Sequence, residues 1–310
     1  MASPDPTGVR RWDIYQRERF PLAAHGPLIL AFSFCAVSFS AHLRHGGWPR
    51  PGAAAVAFVS SLVFFLQLRI ADEFKDREED ARYRPYRPVP RGLVHLRELG
   101  VLFALGGLLQ LALALWWSPP QVLVLLIAWT YLALMSVEFG VRTWLKRHPI
   151  TYLWSHMLIM PLVDFYATAC DWVPAHSPPP SGLWWFLAAS FANGLVIELG
   201  RKIRSPADEE PGVETYSVLW GPQAAARTWA LLVVATAVLG TLAASRAHAA
   251  VPVGVALGLG AALCLALGQR FRARLAPRGG RRLELGAGLW TLLLYGSLGL
   301  IPPLWEHWHG

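Results

Sequence analysis

Residues 51–80 read PGAAAVAFVSSLVFFLQLRIADEFKDREED. No charged side chain occurs between Pro51 and Leu68, yet six of the nine residues from Asp72 to Asp80 are carboxylates. An apolar run of this length matches the roughly 17–25 residues that cross a bilayer as a helix. It has no polar face to turn toward water, which disfavours a soluble helical bundle. The abrupt switch places the carboxylates at the end of the span, where ions and water reach them. The stretch therefore decides two things together: an all-α, polytopic membrane fold, and chemistry carried at helix ends.

The rest of the chain repeats the apolar half of that pattern. The 310 residues are 54% hydrophobic and 15% charged, against about 25% charged in a soluble domain. Nine apolar blocks approach span length, near 22–43, 51–69, 98–117, 119–140, 150–170, 182–199, 223–245, 249–269 and 284–305. They predict a bundle of nine transmembrane helices around a central cavity, one domain over 22–310, preceded by a polar arm over 1–21. Trp116, Trp117, Trp184 and Trp185 fall near block ends, where interfacial aromatics belong. Trp117-Ser118-Pro119-Pro120 is a tight connection, and Pro174 to Pro180 form a stiff loop.

Of 28 Lys and Arg residues, 25 precede the first block or follow blocks 2, 4, 6 and 8; only Arg44, Arg50 and Arg246 fall on the other side. The positive-inside rule then predicts a cytoplasmic N-terminus, cytoplasmic acidic stretches and an outer C-terminus. The net charge of +8 is thus a topology signal, suited to anionic membrane lipids and anionic substrates. Its dispersal over loops points away from nucleic acid. Asp13, Glu18 and several arginines precede the first block, which argues against a cleavable signal peptide. The arm carries Arg10, Arg11, Arg17 and Arg19 close to the membrane, and either lies on the surface or folds over the active side. Cys35, Cys170 and Cys264 are scattered among apolar residues and form no metal or disulfide pattern.

The chain has 20 acidic residues, of which six lie in 72–80 and five in 198–214. If the second span continues as a helix, Asp72, Asp76 and Asp80 are four residues apart and share a face. Aligned carboxylates repel one another unless cations sit between them. Mg²⁺ takes oxygen ligands and commonly bridges one or two carboxylates to substrate phosphates. Asp72, Glu73, Asp76 and Asp80 are therefore candidate metal ligands; the competing reading is a solvated helix end paired with Lys75, Arg77 and Arg82. Residues 82–92, RYRPYRPVPRG, follow at once. Arginine forks suit phosphate oxygens, and the prolines end the helix in an extended loop. Arg87 is the arginine singled out here, with Arg69 on the helix itself; the others read equally as a positive-inside loop.

The second acidic stretch is NGLVIELGRKIR over 193–204, then SPADEE over 205–210 and GVETYS over 212–217. Asn193, Ile197 and Arg201 share one helix face, and Glu198 and Lys202 an adjacent one. Lys202 offers a point charge to a phosphate. Glu198, Asp208 and Glu209 are candidate carboxylates for a second metal; the alternative for Glu198 is a plain helical ion pair with Lys202, worth a few tenths of a kcal/mol when exposed.

These stretches resemble the UbiA superfamily of intramembrane prenyltransferases. There an NDxxDxxxD-type motif ends helix 2, followed by an arginine-proline stretch closing on glycine, as in Asp72-Glu73-x-x-Asp76-x-x-x-Asp80 and Arg87-Pro88-Val89-Pro90-Arg91-Gly92. A second motif, DxxxD, follows helix 6 and precedes a Gly-containing tail like Gly212 to Gly221. The resemblance covers nearly the whole chain, with two departures. Asp72 replaces the usual asparagine, and an ungapped match sets Arg204 where the first Asp of DxxxD stands, with Asp208 at the second. The resemblance implies a Mg²⁺-dependent enzyme acting on a prenyl diphosphate, with Asp72, Asp76, Asp80 and Lys202 at the chemistry. Arg69, Arg87, Asn193, Arg201, Arg204 and Tyr216 would line the substrate site.

The implied reaction is ionisation of the allylic diphosphate, with the carbocation shielded from water. Transfer to a lipophilic, aromatic acceptor with diphosphate release is the leading expectation. The alternative is a UbiA-type terpene cyclase, in which the chain's own double bonds capture the cation. His156 and Asp164, eight residues apart on span 5, are intramembrane ionisable groups and default to a functional reading, His156 toward substrate and Asp164 in catalysis. Their competing role is a buried polar pair that fixes helix packing. A transporter would hold its carboxylates near the bilayer midplane, not at helix ends. A CDP-alcohol phosphotransferase would carry a DGxxAR element, which is missing.

Overall fold

The computed structural model describes residues 8–309. Residues 1–7 of the expected arm, and Gly310 at the end of the expected domain, lie outside the described residues. The described chain is helical throughout: α1 Val9–Arg19, α2 Leu22–His45, α3 Pro51–Lys75, α4 Arg77–Tyr83, α5 Leu96–Trp117, α6 Gln121–Ser136, α7 Arg142–Arg147, α8 Pro149–Met157, α9 Ile159–Trp172, α10 Leu183–Arg201, α11 Tyr216–Trp220, α12 Pro222–Arg246, α13 Ala250–Arg274 and α14 Gly279–His309.

Seven of these helices, namely α2, α3, α5, α10, α12, α13 and α14, are long and apolar enough to cross a membrane, and the chain is an integral membrane protein. The expected nine blocks all fall on helices, but two fall short of that measure. The block at 119–140 is the 16-residue α6, which ends in a 3-10 turn where Glu138 and Phe139 adopt positive φ. The block at 150–170 is split at Leu158 into α8 and α9. Pro161 explains the split: it lacks an N–H for the Met157 carbonyl, and its ring crowds that same carbonyl.

Neighbouring helices close into a ring, in the order α2, α3, α5, α6, α9, α10, α12, α13, α14 and back to α2. Cross-contacts of α9 with α2 and α3, and of α10 with α14, fill the middle. Small residues allow this approach. A Cβ on Gly299 would stand 2.4 Å from the Cα of Cys35, and one on Gly260 would stand 2.2 Å from Leu293 Cδ2. Outward side chains such as Leu108, Leu123, Leu263 and Leu289 remain exposed, as a lipid-facing surface requires.

The bundle sorts its polar groups to two ends. At one end Asp171, fully buried, accepts from Ser40 at 3.1 Å and from Arg44 at 2.8 and 3.1 Å. Trp117 Nε1 donates to the Cys170 carbonyl beside it. At the opposite end lie the C-termini of α3 and α10, with α1, α4, α7 and α11 around them.

Candidate active site

The first acidic stretch does not continue as one straight helix. Backbone bonds still run from Asp76 N to Asp72 O and from Asp80 N to Asp76 O, but Asp76 sits at φ −94°, ψ 8° and separates α3 from α4. The carboxylates consequently divide into two groups. Glu73 and Asp80 are buried among arginines. Glu73 accepts from Arg19 and lies 3.5 Å from Arg69. Asp80 takes Arg87 at 2.7 and 2.8 Å, Arg84 at 3.1 Å, and Arg19 at 3.8 Å. Four guanidinium groups within reach of two carboxylates account for this orientation. It also sets Arg69 and Arg87, the two arginines of this stretch expected at the substrate, beside carboxylates.

Asp72 and Asp76 stay half-exposed. Asp72 pairs with Lys75 at 3.3 Å and weakly with Arg69 at 3.8 Å. Among the described residues no side chain donates a hydrogen bond to Asp76. Burial raises the Asp76 pKa above the usual aspartate range; Lys75 opposes the shift, and Asp72, Asp80 and Glu79 add to it. An ionised carboxylate so placed lacks compensating charge.

The second stretch converges on the same end from α10. Glu198 is buried and accepts from Arg201 at 2.6 Å and Lys202 at 2.9 Å. Lys202 Nζ also lies 5.9 Å from the centre of the Tyr216 ring, and burial raises the Tyr216 pKa, with Glu198 contributing. Tyr152 of α8 reaches the first stretch. Its hydroxyl accepts from Lys75 at 2.9 Å, and its ring stacks on His156 at 3.9 Å. The Lys75–Tyr152 bond ties the end of α3 to α8, and α8 packs on α10. His156 is buried with Nδ1 on the Tyr152 carbonyl, and its Nε2 has no hydrogen-bond partner among the described residues.

Other expected site residues stand elsewhere. Asn193 is buried against Thr291 of α14, with contacts of 3.2 and 3.3 Å. Asp164 is fully enclosed; its Oδ2 accepts from Tyr295 at 2.6 Å, and it makes no contact with His156. Asp208 accepts from the Arg278 backbone N–H at 2.6 Å, and Glu209 from Thr215 at 2.8 and 2.9 Å, while Thr215 caps α11 through Val218 N. Both carboxylates thereby pin the loop between α10 and α11. Arg204 contributes its backbone N–H to Ser217, and its neighbour Ile203 sits under Gly280. At Gly212 this loop passes so close to Tyr83 that a Cβ would lie 2.4 Å from the ring, a contact only glycine permits.

Three participants were not singled out from sequence: Lys75, Tyr152 and Arg19. Lys75 lay in view inside the first acidic stretch. Tyr152 gave no local signal. Arg19 was one of several arm arginines, and its role depends on how α1 docks. Tyr15 of α1 is buried with Ile70, Leu93, Val94 and Leu99. Arg11 reaches Glu98, which also caps α5 through the His95 N–H, and Arg91 reaches Glu18 at 2.9 Å.

No trio of His, Cys, Asp or Glu side chains among the described residues is arranged to enclose a metal. The donor chemistry nevertheless fits Mg²⁺ held in the manner it prefers with phosphates, by one or two carboxylates and the substrate itself. Asp72 and Asp76 are the pair available for that, one helical turn apart and partly open.

The sequence model of the UbiA prenyltransferase family matches residues 31–302. No curated protein sequence matches the chain. Among solved structures it is similar to an apo UbiA homologue from Aeropyrum pernix K1 (14% identity, TM-score 0.66, covering 90% of this chain and 98% of that one). It is similar to a digeranylgeranylglyceryl phosphate synthase (12%, TM-score 0.62, 95% and 99%). It is also similar to a UbiA homologue from Archaeoglobus fulgidus bound to DMAPP and Mg²⁺ (16%, TM-score 0.57, 92% and 99%).

Proposed function

The chain belongs to the UbiA prenyltransferase family, and from that premise we propose that it ionises an allylic prenyl diphosphate at the α3 and α10 ends and transfers the prenyl group to a lipophilic, aromatic acceptor. The observation that carries this reading is the partly open Asp72–Asp76 pair at the C-terminal end of α3, with the Glu198–Arg201–Lys202 group at the C-terminal end of α10. It places ligands for a divalent cation beside cations for phosphate oxygens. The relative bound to DMAPP and Mg²⁺ supports the same pairing of ligands.

Asp72 and Asp76 would hold Mg²⁺. When bound, the ion supplies charge neutralisation to the departing diphosphate. Lys202 and Arg201 approach the same anion from α10; Glu198 keeps both of them oriented and partly neutralised until the diphosphate competes for them. Tyr152 holds Lys75 beside Asp72, which limits the repulsion between the carboxylates. Arg87 engages Asp80 through Nη1 alone and Arg69 makes only the longer ion pairs, so each keeps N–H donors for a phosphate oxygen. The apolar bundle shields the cation formed from the allylic chain from water. The positive-inside pattern supports a cytoplasmic site with the N-terminus on the same side.

The test is to incubate the purified protein with farnesyl or geranylgeranyl diphosphate and Mg²⁺, with and without a panel of aromatic acceptors. Diphosphate release that depends on acceptor, with a prenylated product, is expected. Release without acceptor and a cyclic hydrocarbon product would replace transfer by cyclisation. No release with any chain length under either condition would reject both.

A further inference from the structure

We propose that Arg19 of the N-terminal helix α1 is a positioning residue that withdraws Glu73 and Asp80 from the metal and thereby confines a divalent cation to Asp72 and Asp76. The inference rests on the reading that the latter pair holds the ion, and it adds a residue that no motif contains.

The first stretch carries alternating carboxylates on one short segment, and nothing in their chemistry ranks them as ligands. The arginines around them do. Among the described residues, Arg19 is the one from outside the 69–87 segment that touches both withdrawn carboxylates. It pairs with Glu73 and stands 3.8 Å from Asp80, with side-chain exposures of 9%, 1% and 3% respectively. Asp80 keeps Arg84 and Arg87 if Arg19 is lost, whereas Glu73 keeps only Arg69, at 3.5 Å. Glu73 is also adjacent to Asp72 in sequence. Loss of Arg19 therefore frees Glu73 above all, and at the same time removes a positive charge from the neighbourhood of the ion.

Arg19 is not held there by its ion pairs alone. Tyr15, one helical turn earlier, is buried against Ile70, Leu93, Val94 and Leu99, and Arg11 and Glu18 each close a further pair to Glu98 and Arg91. Those contacts span the segments before and after the arginine-proline loop. They fix α1 at a register that delivers Arg19 to the break between α3 and α4. The expected carboxylates of the second stretch have their own partners: Glu198 has Arg201 and Lys202, Asp208 the Arg278 N–H, and Glu209 Thr215. A guanidinium that fixes which carboxylates stay free thus sets the position and number of bound ions.

The experiment is Mn²⁺ titration of the full-length, detergent-solubilised protein, read by loss of the free-ion EPR signal. Wild type should bind Mn²⁺ at one site per chain, and D76N should lose it. R19Q should bind Mn²⁺ about tenfold more tightly, because a nearby cation is gone and a carboxylate is released. R19K should behave as wild type, and the double variant R19Q/E73Q should return to wild-type affinity. Unchanged or weaker binding in R19Q, with the D76N-sensitive site intact, would overturn the role of Arg19 and leave the metal reading standing. Absence of any D76N-sensitive site in wild type would overturn both. If Arg19 only braced the fold, R19Q and R19Q/E73Q would melt early and share one altered affinity, which also refutes the proposal.

Discussion

Two single-charge substitutions within one motif are expected to have opposite profiles. In E73Q, a carboxylate with 1% side-chain exposure is removed from Arg19 and Arg69. Truncating one partner of a buried pair costs about 3–5 kcal/mol when the other is stranded. Arg19 keeps Asp80 at 3.8 Å and Arg69 keeps Asp72 at the same distance, so a cost at or below the bottom of that range, about 2–3 kcal/mol, is expected. In D76N the lost charge has no hydrogen-bond donor and is opposed by burial and by neighbouring carboxylates. Stability should hold or rise slightly. Turnover should do the reverse: D76N should lose on the order of 100-fold or more in diphosphate release, and E73Q less than about tenfold. The assays are thermal unfolding of metal-free protein in detergent and diphosphate release from a prenyl diphosphate with Mg²⁺. The pH dependence follows with the same sign. Because the folded state raises the Asp76 pKa, its contribution favours the folded protein most in acid and is lost as pH rises through the raised value. The stability of wild type relative to D76N should therefore fall as pH rises above the ordinary aspartate value, about 4. If D76N unfolds as early as E73Q, or turns over like wild type, the division of the motif into withdrawn and available carboxylates is wrong.

Further outcomes follow from other sites. In G280A the new Cβ would stand 2.2 Å from the Ile203 carbonyl; a loss of about 1–3 kcal/mol with reduced turnover is expected in melting and activity assays, whereas G288A, with open space around it, should match wild type. N193A and T291A should destabilise by about 1 kcal/mol each, with less than additive effects in the double variant and unchanged substrate KM, since the two residues bond each other. D171A should lower the melting temperature by stranding Arg44, at a cost of about 3 kcal/mol, without altering the Mg²⁺ dependence of turnover. Chelation with EDTA should abolish diphosphate release, with recovery on adding Mg²⁺; full activity in EDTA would remove the metal from the reaction.

Much of the architecture was legible because its cause is hydropathy, which each residue carries regardless of context. The run from Pro51 to Leu68 reads as a span in isolation and forms the body of α3. The limits of that reading appear where local chemistry interrupts it. Pro161 held the information for the break at Leu158, but the apolar content of 150–170 masked it. Helical spacing sets Asp72, Asp76 and Asp80 on one face only if the helix runs on, and the break at Asp76 and the competitors for each carboxylate lie outside that pattern. The competitors are Arg19, Arg84 and Arg87, and the first is distant in sequence. For Asn193 the periodicity identified a face and not its neighbour, which is Thr291, 98 residues away. The second acidic stretch was read as a ligand set from composition. Asp208 accepts from the Arg278 N–H, far along the chain, and Glu209 from Thr215 in its own loop.

The docking of α1 also bears on the order of synthesis. Its ion pairs close loops of 54 residues to Glu73 and 87 residues to Glu98. A ribosome adds about 5–20 residues each second, so Arg11 waits roughly 4–17 s for its partner to be made. Meanwhile Trp12, Tyr15 and the arginines of α1 have only the membrane surface to rest on. A segment made before α3 is thus among the last to take its place, and the motif is completed only after α3, α4 and the start of α5 are in position. A fusion or tether that holds the N-terminus away from the bilayer would be expected to leave the helices inserted and the motif unfinished.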